Sequence, residues 1–496
     1  MPKLRHIFGA VLCILILGVR CAPAQQAPDQ TQGQTQDQTQ DQGQTQPLQP
    51  IPAIRSPLAS AAGNDSGDQS ADQQRLEPDT NPLAGAQALS LGEKPVTRSN
   101  WQPHLDLSVG ATSNALEVNS NPGWTAWTYL LGGVDLHRFS GVQHLFVNYT
   151  GGGVLSVGGQ ASNGVYQALN VADQFKLQRV TLTFLEQFSY APEASLGVGG
   201  FGDLGGSLEL GSSFTPSQGL LTAREQNVNN TFLTQADVRL SGRSSLTFVG
   251  GYLLLHYFNS GNLSYGGPLF RAGYNHQMTR NDTIALIYQY SDIDYSNFDQ
   301  SITINTMQVS YGRRVTGRLA FTVAAGPQIA HFQTPITSSV GTASGSPMPG
   351  GTTQAYWSLD TSLRYGFSRT QLEAFYSHGV GGGGGVLAGA LTDTVGASVS
   401  HQWTRTLGGS GSFGYSRNSG LGVAGIGTPS HQTYDYWYGG VDVSHPWGRE
   451  LSLHGSYRLQ YETGNSSFCV GATCGTNIVV HMFSFGVGWR RQPIPF

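Results

Sequence analysis

Residues 451–462 read Leu-Ser-Leu-His-Gly-Ser-Tyr-Arg-Leu-Gln-Tyr-Glu, and their alternation limits the fold more than any other feature of the chain. One set of alternate positions is Leu451, Leu453, Gly455, Tyr457, Leu459 and Tyr461. The other is Ser452, His454, Ser456, Arg458, Gln460 and Glu462. Successive side chains of a strand point to opposite faces, so this segment has one apolar face and one wet face. It is longer than the usual strand of a soluble domain and suits one that crosses a bilayer at a tilt. A half-polar strand in lipid must pair all of its backbone groups with other strands, which only a closed barrel achieves.

Composition is compatible with that reading without deciding it. Charged residues are only 11% of the chain and the formal net charge is -4, so nucleic-acid binding has no electrostatic support. Glycine is abundant, at 67 residues. Beyond the N-terminus no apolar run reaches the roughly 18 residues that a spanning helix needs. A secreted all-β protein would share these properties, so the decision rests on the strand pattern.

The chain divides into three parts. Residues 1–24 read as a cleaved export signal, with Lys3 and Arg5 before the apolar stretch 7–19 and Ala22-Pro23-Ala24 as the cleavage site. Arg20, directly before Cys21, departs from the small residue of a lipoprotein signal, which favours ordinary cleavage after Ala24. Residues 25–100 are Gln-rich and aperiodic, with too few large apolar groups to offset the entropy of ordering, and are expected to be a disordered periplasmic segment. Residues 101–496 carry the strand pattern and are expected to form the barrel.

The pattern predicts an all-β, transmembrane, antiparallel up-and-down barrel of about 16 to 18 strands. Tight turns are expected at Ser140-Gly141, Gln178-Arg179, Gly242-Arg243, 279–281, 315–317, Ser368-Arg369, Thr404-Arg405 and 446–448. Every second connection between them is longer and rich in Gly, Ser, Asn and Pro. That alternation describes a meander with a turn rim and a loop rim, and Greek-key sandwiches do not predict it. Outward sets include Ile284, Leu286, Tyr288 and Tyr290, and Leu246, Phe248, Tyr252 and Leu254. Asp173 and Glu186 fall on the lipid face by parity, which predicts either a bulge or misplaced strands there.

The C-terminal residues carry a resemblance. Phe483-Ser484-Phe485-Gly486-Val487-Gly488-Trp489 alternates aromatic and small residues, and the chain ends in Phe496. This resembles the closing strand of Gram-negative outer-membrane barrel proteins, porins among them. Pro493 and Pro495 depart from it, since proline cannot donate to a ladder, so Trp489 is expected to end the strand and Phe496 to lie beyond it. The resemblance implies an outer-membrane location, insertion by the barrel-assembly machinery, extracellular long loops and periplasmic termini. It allows a homotrimer. In the classical trimeric porins the third long loop folds into the lumen, and residues 191–230 occupy a similar place. Glu193, Asp203, Glu209, Arg224 and Glu225 are therefore the candidate constriction-loop residues.

Parity places a mixed set of charges inside: Asp106, Asp135, Asp237, Arg239, Arg271, Asp360, Arg364, Glu373, Asp442 and Arg458. Opposed charges in a wet lumen would set an ion preference, whereas pairs across adjacent strands would only stabilise the wall. A constricting loop would set its acids against a basic cluster of Arg239, Arg271, Arg364 and Arg458. Tyr434, Tyr436 and Tyr438 share the inward parity and offer either a sugar path or, at the rim, an aromatic belt. Gly381–Gly385 lacks the Lys and Ser/Thr of a phosphate loop and reads as a flexible outer loop. Cys469 and Cys474 read as a small disulfide-closed loop. No motif ties a nucleophile to a base, and no metal or cofactor is expected.

The expected function is a channel for passive diffusion of small hydrophilic solutes or ions, with no enzymatic activity. The alternatives are a surface-binding or adhesive barrel closed by its loops, and a polysaccharide export channel. The mixed lumen charges count against the last, because a polyanion exporter needs a dense basic row.

Overall fold

The computed structural model describes residues 99–113, 123–157, 163–191, 226–258, 263–296, 300–316, 318–334, 350–367, 369–383, 387–421, 432–470 and 473–496. They form eighteen long strands and one short one. In order these are β1 (Asn100–Ser113), β2 (Trp124–Ser140), β3 (Gln143–Val157), β4 (Gly164–Lys176), β5 (Val180–Ala191), β6 (Asn227–Arg239), β7 (Ser244–Tyr257), β8 (Tyr265–Gln277) and β9 (Asp282–Tyr295). They continue with β10 (Gln300–Arg314), β11 (Leu319–Thr334), β12 (Gly350–Gly366), β13 (Thr370–Gly381), β14 (Ala390–Gln402), β15 (Gly408–Gly420), β16 (Thr433–Trp447), β17 (Leu451–Val470), β18 (Thr473–Arg490) and β19 (Ile494–Pro495).

Each of the eighteen long strands pairs antiparallel with the next, and β1 pairs with β18 in the register Asp106–Gly488. The sheet closes on itself, so no strand is left as a free edge along its whole length. Four of the tight turns share one chemical device. The hydroxyls of Ser241, Thr279, Thr316 and Thr404 accept N–H groups two and three residues on, at 2.9–3.2 Å. A hydroxyl at that position satisfies turn donors that no strand can reach. Gly448 turns the chain between β16 and β17 at φ +83, a conformation that a side chain would strain.

The outward face is apolar, as its alternation predicts. Leu105, Leu107 and Val109 of β1, Ile284, Leu286 and Tyr288 of β9, and Phe483 and Phe485 of β18 are all exposed, Phe485 to 56%. Large apolar groups left outside by a closed sheet form a surface that suits lipid.

Three expectations need correction. No bulge carries Asp173 or Glu186 inward, because the ladders through them run without interruption. Both acids sit on the outer wall with an amide neighbour: Gln143 Nε2 donates to Asp173 at 2.9 and 3.1 Å, and Asn230 Nδ2 donates to Glu186 Oε1 at 2.5 Å. Second, the loop rim does not carry a long connection at every position. β17 and β18 stay paired as far as Val470–Thr473, past a register irregularity between Gly464 and Cys469. Their backbones set Cys469 opposite Cys474, and the side chains of both lie outside the described residues. Third, the chain re-engages the wall after Arg490. β19 pairs Ile494 with Trp101, and Phe496 N–H donates to Ser99 O at 3.2 Å. Phe496 thus lies past the closing strand, as its prolines predict, yet the segment remains fastened to β1.

Candidate functional site

The inner wall is the candidate site, and the strand alternation builds it. All ten predicted charged residues take the inward parity of their strands. Towards the turn rim they are mostly satisfied by neighbours. Asp135 meets Arg490 Nη2 at 3.1 Å and His104 Nδ1 at 3.6 Å, and accepts from Asn148. Arg364 pairs with Glu373 at 2.9 Å. Arg458 Nη2 approaches Asp442 Oδ1 at 3.9 Å. Asp237 accepts from Thr247 Oγ1 at 2.6 Å and Gln235 Nε2 at 2.5 Å, and Asp360 accepts from Gln308 Nε2 at 2.7 Å. Arg271 interacts electrostatically with Asp360, across the three strands between them. The expected basic cluster does not assemble: Arg239, Arg271, Arg364 and Arg458 are spread over β6, β8, β12 and β17, and Arg239 lies exposed at the turn rim.

Asp106, Ser108 and His454 come together near mid-depth. Ser108 Oγ donates to Asp106 Oδ1 at 2.5 Å and lies 3.1 Å from His454 Nε2, while Asp106 Oδ2 is 3.5 Å from that same nitrogen. A proton relay needs the acid on one imidazole nitrogen and the nucleophile on the other. Here both partners share one nitrogen, so the trio lacks the relay arrangement and forms a polar wall cluster. His104 and Arg490 complete this wall. Arg490 follows Ser484, Gly486 and Gly488 at the inward parity, so counting on by two would have found it.

The loop-side half of the lumen is of another kind. Trp127, Tyr129 and Leu131 of β2 point inward with Val154 and Tyr166, and Trp127 is only 2% exposed. Tyr434, Tyr436 and Tyr438 point inward and are packed against Leu387, Ala390, Ile478, Val480 and Met482. They belong to an apolar cluster and form neither an open sugar path nor an outer belt. A further cluster gathers Tyr257, Tyr265, Ile293, Tyr295, Ile302, Ile304, Phe332 and Val380 from the loop ends of β7–β11 and β13.

Residues 387–391 join these two clusters, so the described part of the connection is packed inward instead of forming a flexible outer loop, while Gly384 and Gly385 lie outside the described residues. Leu387 is buried among the tyrosines of β16, and Ala388, Leu391 and Leu421 pack against the other cluster. Tyr295 Oη donates to Gly382 O at 3.0 Å. A Cβ at Gly389 would run into Ile302 Cδ1, and Gly389 has φ +80, so glycine is needed there twice over. Among the described residues, the connection after β13 is thus one that turns inward. The candidate constriction residues Glu193, Asp203, Glu209, Arg224 and Glu225 lie outside the described residues. A glycine run carries no periodic signal, so the sequence offered nothing to reveal this insertion.

No protein-family model matches the sequence, and no curated protein matches it. Among solved structures the chain is similar to OpdQ of Pseudomonas aeruginosa, with 9% identity and a TM-score of 0.40 over 80% of this chain and 98% of that one. It is similar to OccK2 (OpdF) of the same organism, solved in complex with glucuronate, with 10% identity and a TM-score of 0.40 over 79% and 98% of the two chains. OprD of P. aeruginosa gives 10% identity and a TM-score of 0.38 over 84% and 100% of the two chains.

Proposed function

We propose that the protein is an outer-membrane channel for the passive diffusion of small hydrophilic solutes or ions. The observation that carries this reading is the pairing of an apolar outer wall with a charged, hydrogen-bonded inner wall in a closed sheet of eighteen long strands. A barrel of that size has room for water inside, and mixed charges on its wall give mild selectivity. The segment between β13 and β14 narrows the loop-side mouth. In this reading the signal 1–24 is removed, the Gln-rich segment 25–100 and both termini face the periplasm, and the long loops face outward. Assembly uses the barrel-assembly machinery, and a homotrimer is the oligomer to test for by cross-linking. No catalytic step is assigned.

A second reading, a surface-binding barrel closed by its loops, draws on the dense packing of the loop-side clusters around Leu387. Single-channel recording separates the two. The mature chain, refolded into a planar bilayer with folding confirmed by heat-modifiable gel migration, should give discrete current steps. A folded but silent protein would favour the closed, surface-binding barrel.

A further inference from the structure

The barrel wall is incomplete between β12 and β13. Their ladder runs from Gly366–Gln371 at the turn side only as far as Leu359–His378. β12 itself continues, paired with β11 up to Thr334–Gly350. β13 bends inward beyond His378, and the side chain of Gln328 on β11 reaches the backbone position that β12 would otherwise fill. Gln328 Oε1 accepts the Val380 N–H at 2.7 Å, and its Nε2 donates to the Val380 carbonyl at 3.4 Å. A single amide therefore replaces a strand at this point, and it does so from inside the lumen.

The height of the seam follows from the outward residues of β12. Trp357 and Tyr365 bracket an apolar stretch that includes Leu359 and Leu363. At a strand rise of about 3.3 Å and a tilt of about 40°, these aromatics are about 20 Å apart along the membrane normal, close to the spacing of the two interfacial girdles. The seam therefore opens at the loop-side girdle, at headgroup level, where water can reach the strand edge. Its base is polar and aromatic: Trp357 stacks on His378 at 4.0 Å, and His378 Nδ1 lies 2.7 Å from Asp393 Oδ1. Behind it lies apolar material, with Ala330, Phe332 and Val380 buried and Tyr356 and Leu391 half-buried.

We propose that this seam is a lateral portal that admits the apolar chain of a single-chain amphiphile from the membrane into the cluster behind Val380. The polar head stays at the girdle beside His378 and Asp393. A narrow opening with a polar lip and an apolar interior fits a molecule of that shape, whereas a fully hydrophilic solute would gain nothing there.

The test uses the mature chain in liposomes, with Cys469→Ser and Cys474→Ser as background and dansyl-labelled undecanoic acid as the probe. Continuing the register two residues beyond Leu359–His378 would bring Trp357 opposite Val380, so the W357C/V380C pair zips the seam when oxidised. The background protein should raise dansyl fluorescence saturably. The oxidised pair should bind about tenfold more weakly, with binding restored by reduction. A355W, which fills the mouth without a cross-link, should weaken binding likewise and decides the matter if the disulfide does not form. Unchanged binding in a cross-linked or A355W protein, or no fluorescence above empty liposomes in the background protein, overturns the portal. Lost conductance with probe binding retained would instead count against the diffusion channel alone.

Discussion

The turn-side and loop-side halves of the lumen are lined by the same strands but obey different physics. On the turn side, the inward positions hold Asp135, Arg490, Asp237, Arg364 and Glu373, each with a hydrogen-bonding or charged neighbour within about one strand. On the loop side, the same parity brings Trp127, Tyr436 and Phe332 together in packed apolar clusters. A wet wall holds its shape by polar pairing, whereas a packed wall holds by excluding water. Under the proposed channel function this difference divides the labour, with charge preference assigned to the lower half and aperture to the upper.

That division can be broken in stages. The largest effect should come from joining Gly382 directly to Gly389, which removes the inserted segment. Single-channel conductance in a planar bilayer should then rise about threefold or more, since the segment spans the gap between two clusters. Leu387→Asp should expel the same segment by placing a charge among Tyr434, Tyr436 and Met482, with a rise of about twofold. An unchanged current in both variants would show that the aperture lies elsewhere. Tyr436→Ala should cost about 3 kcal/mol in a urea unfolding titration of the refolded barrel, because the hole opens in a packed cluster. Arg458→Ala should shift the reversal potential in a salt gradient towards cation preference, by about twofold in permeability ratio, since it leaves Asp442 without its cation. Glu186→Leu on the outer wall should stabilise folding by about 1 kcal/mol and leave conductance alone, because it removes a carboxylate from the lipid face. A change in current from that variant would mean that the outer wall takes part in conduction.

Much of the architecture was legible in the alternation. Segments such as 451–462 and 282–292 show both their strand character and their faces, and the tight turns announce where one strand ends and the next begins. The inward parity of all ten candidate charges follows from the same count. The loop-side clusters were less legible, for a physical reason. In β2 both faces are apolar over 124–131, and periodicity cannot distinguish an apolar residue facing lipid from one facing a packed lumen. Hence the three tyrosines of β16 read as a sugar path or a belt when they are part of a cluster. The inserted segment was illegible because Gly381–Gly385 has no side chains to pattern, and Asp173 and Glu186 misled because an amide neighbour offsets part of the cost of an acid on the outer wall.

The fastening of β19 to β1 bears on the order in which this barrel comes together. Trp101 meets Ile494, and Asp106 meets Gly488, so β1 finds its second partner only when β18 and β19 have been made. Every other ladder joins sequence neighbours and can form by local zipping, whereas this one closes the longest loop available. Closure is therefore the pairing with the largest loop-entropy cost in the barrel. Until it happens, β1 and β18 are the two exposed edges that invite mispairing with other chains. The Ile494–Pro495 clip adds a second point of attachment at that junction, a latch on the ladder that joins the two ends of the sheet.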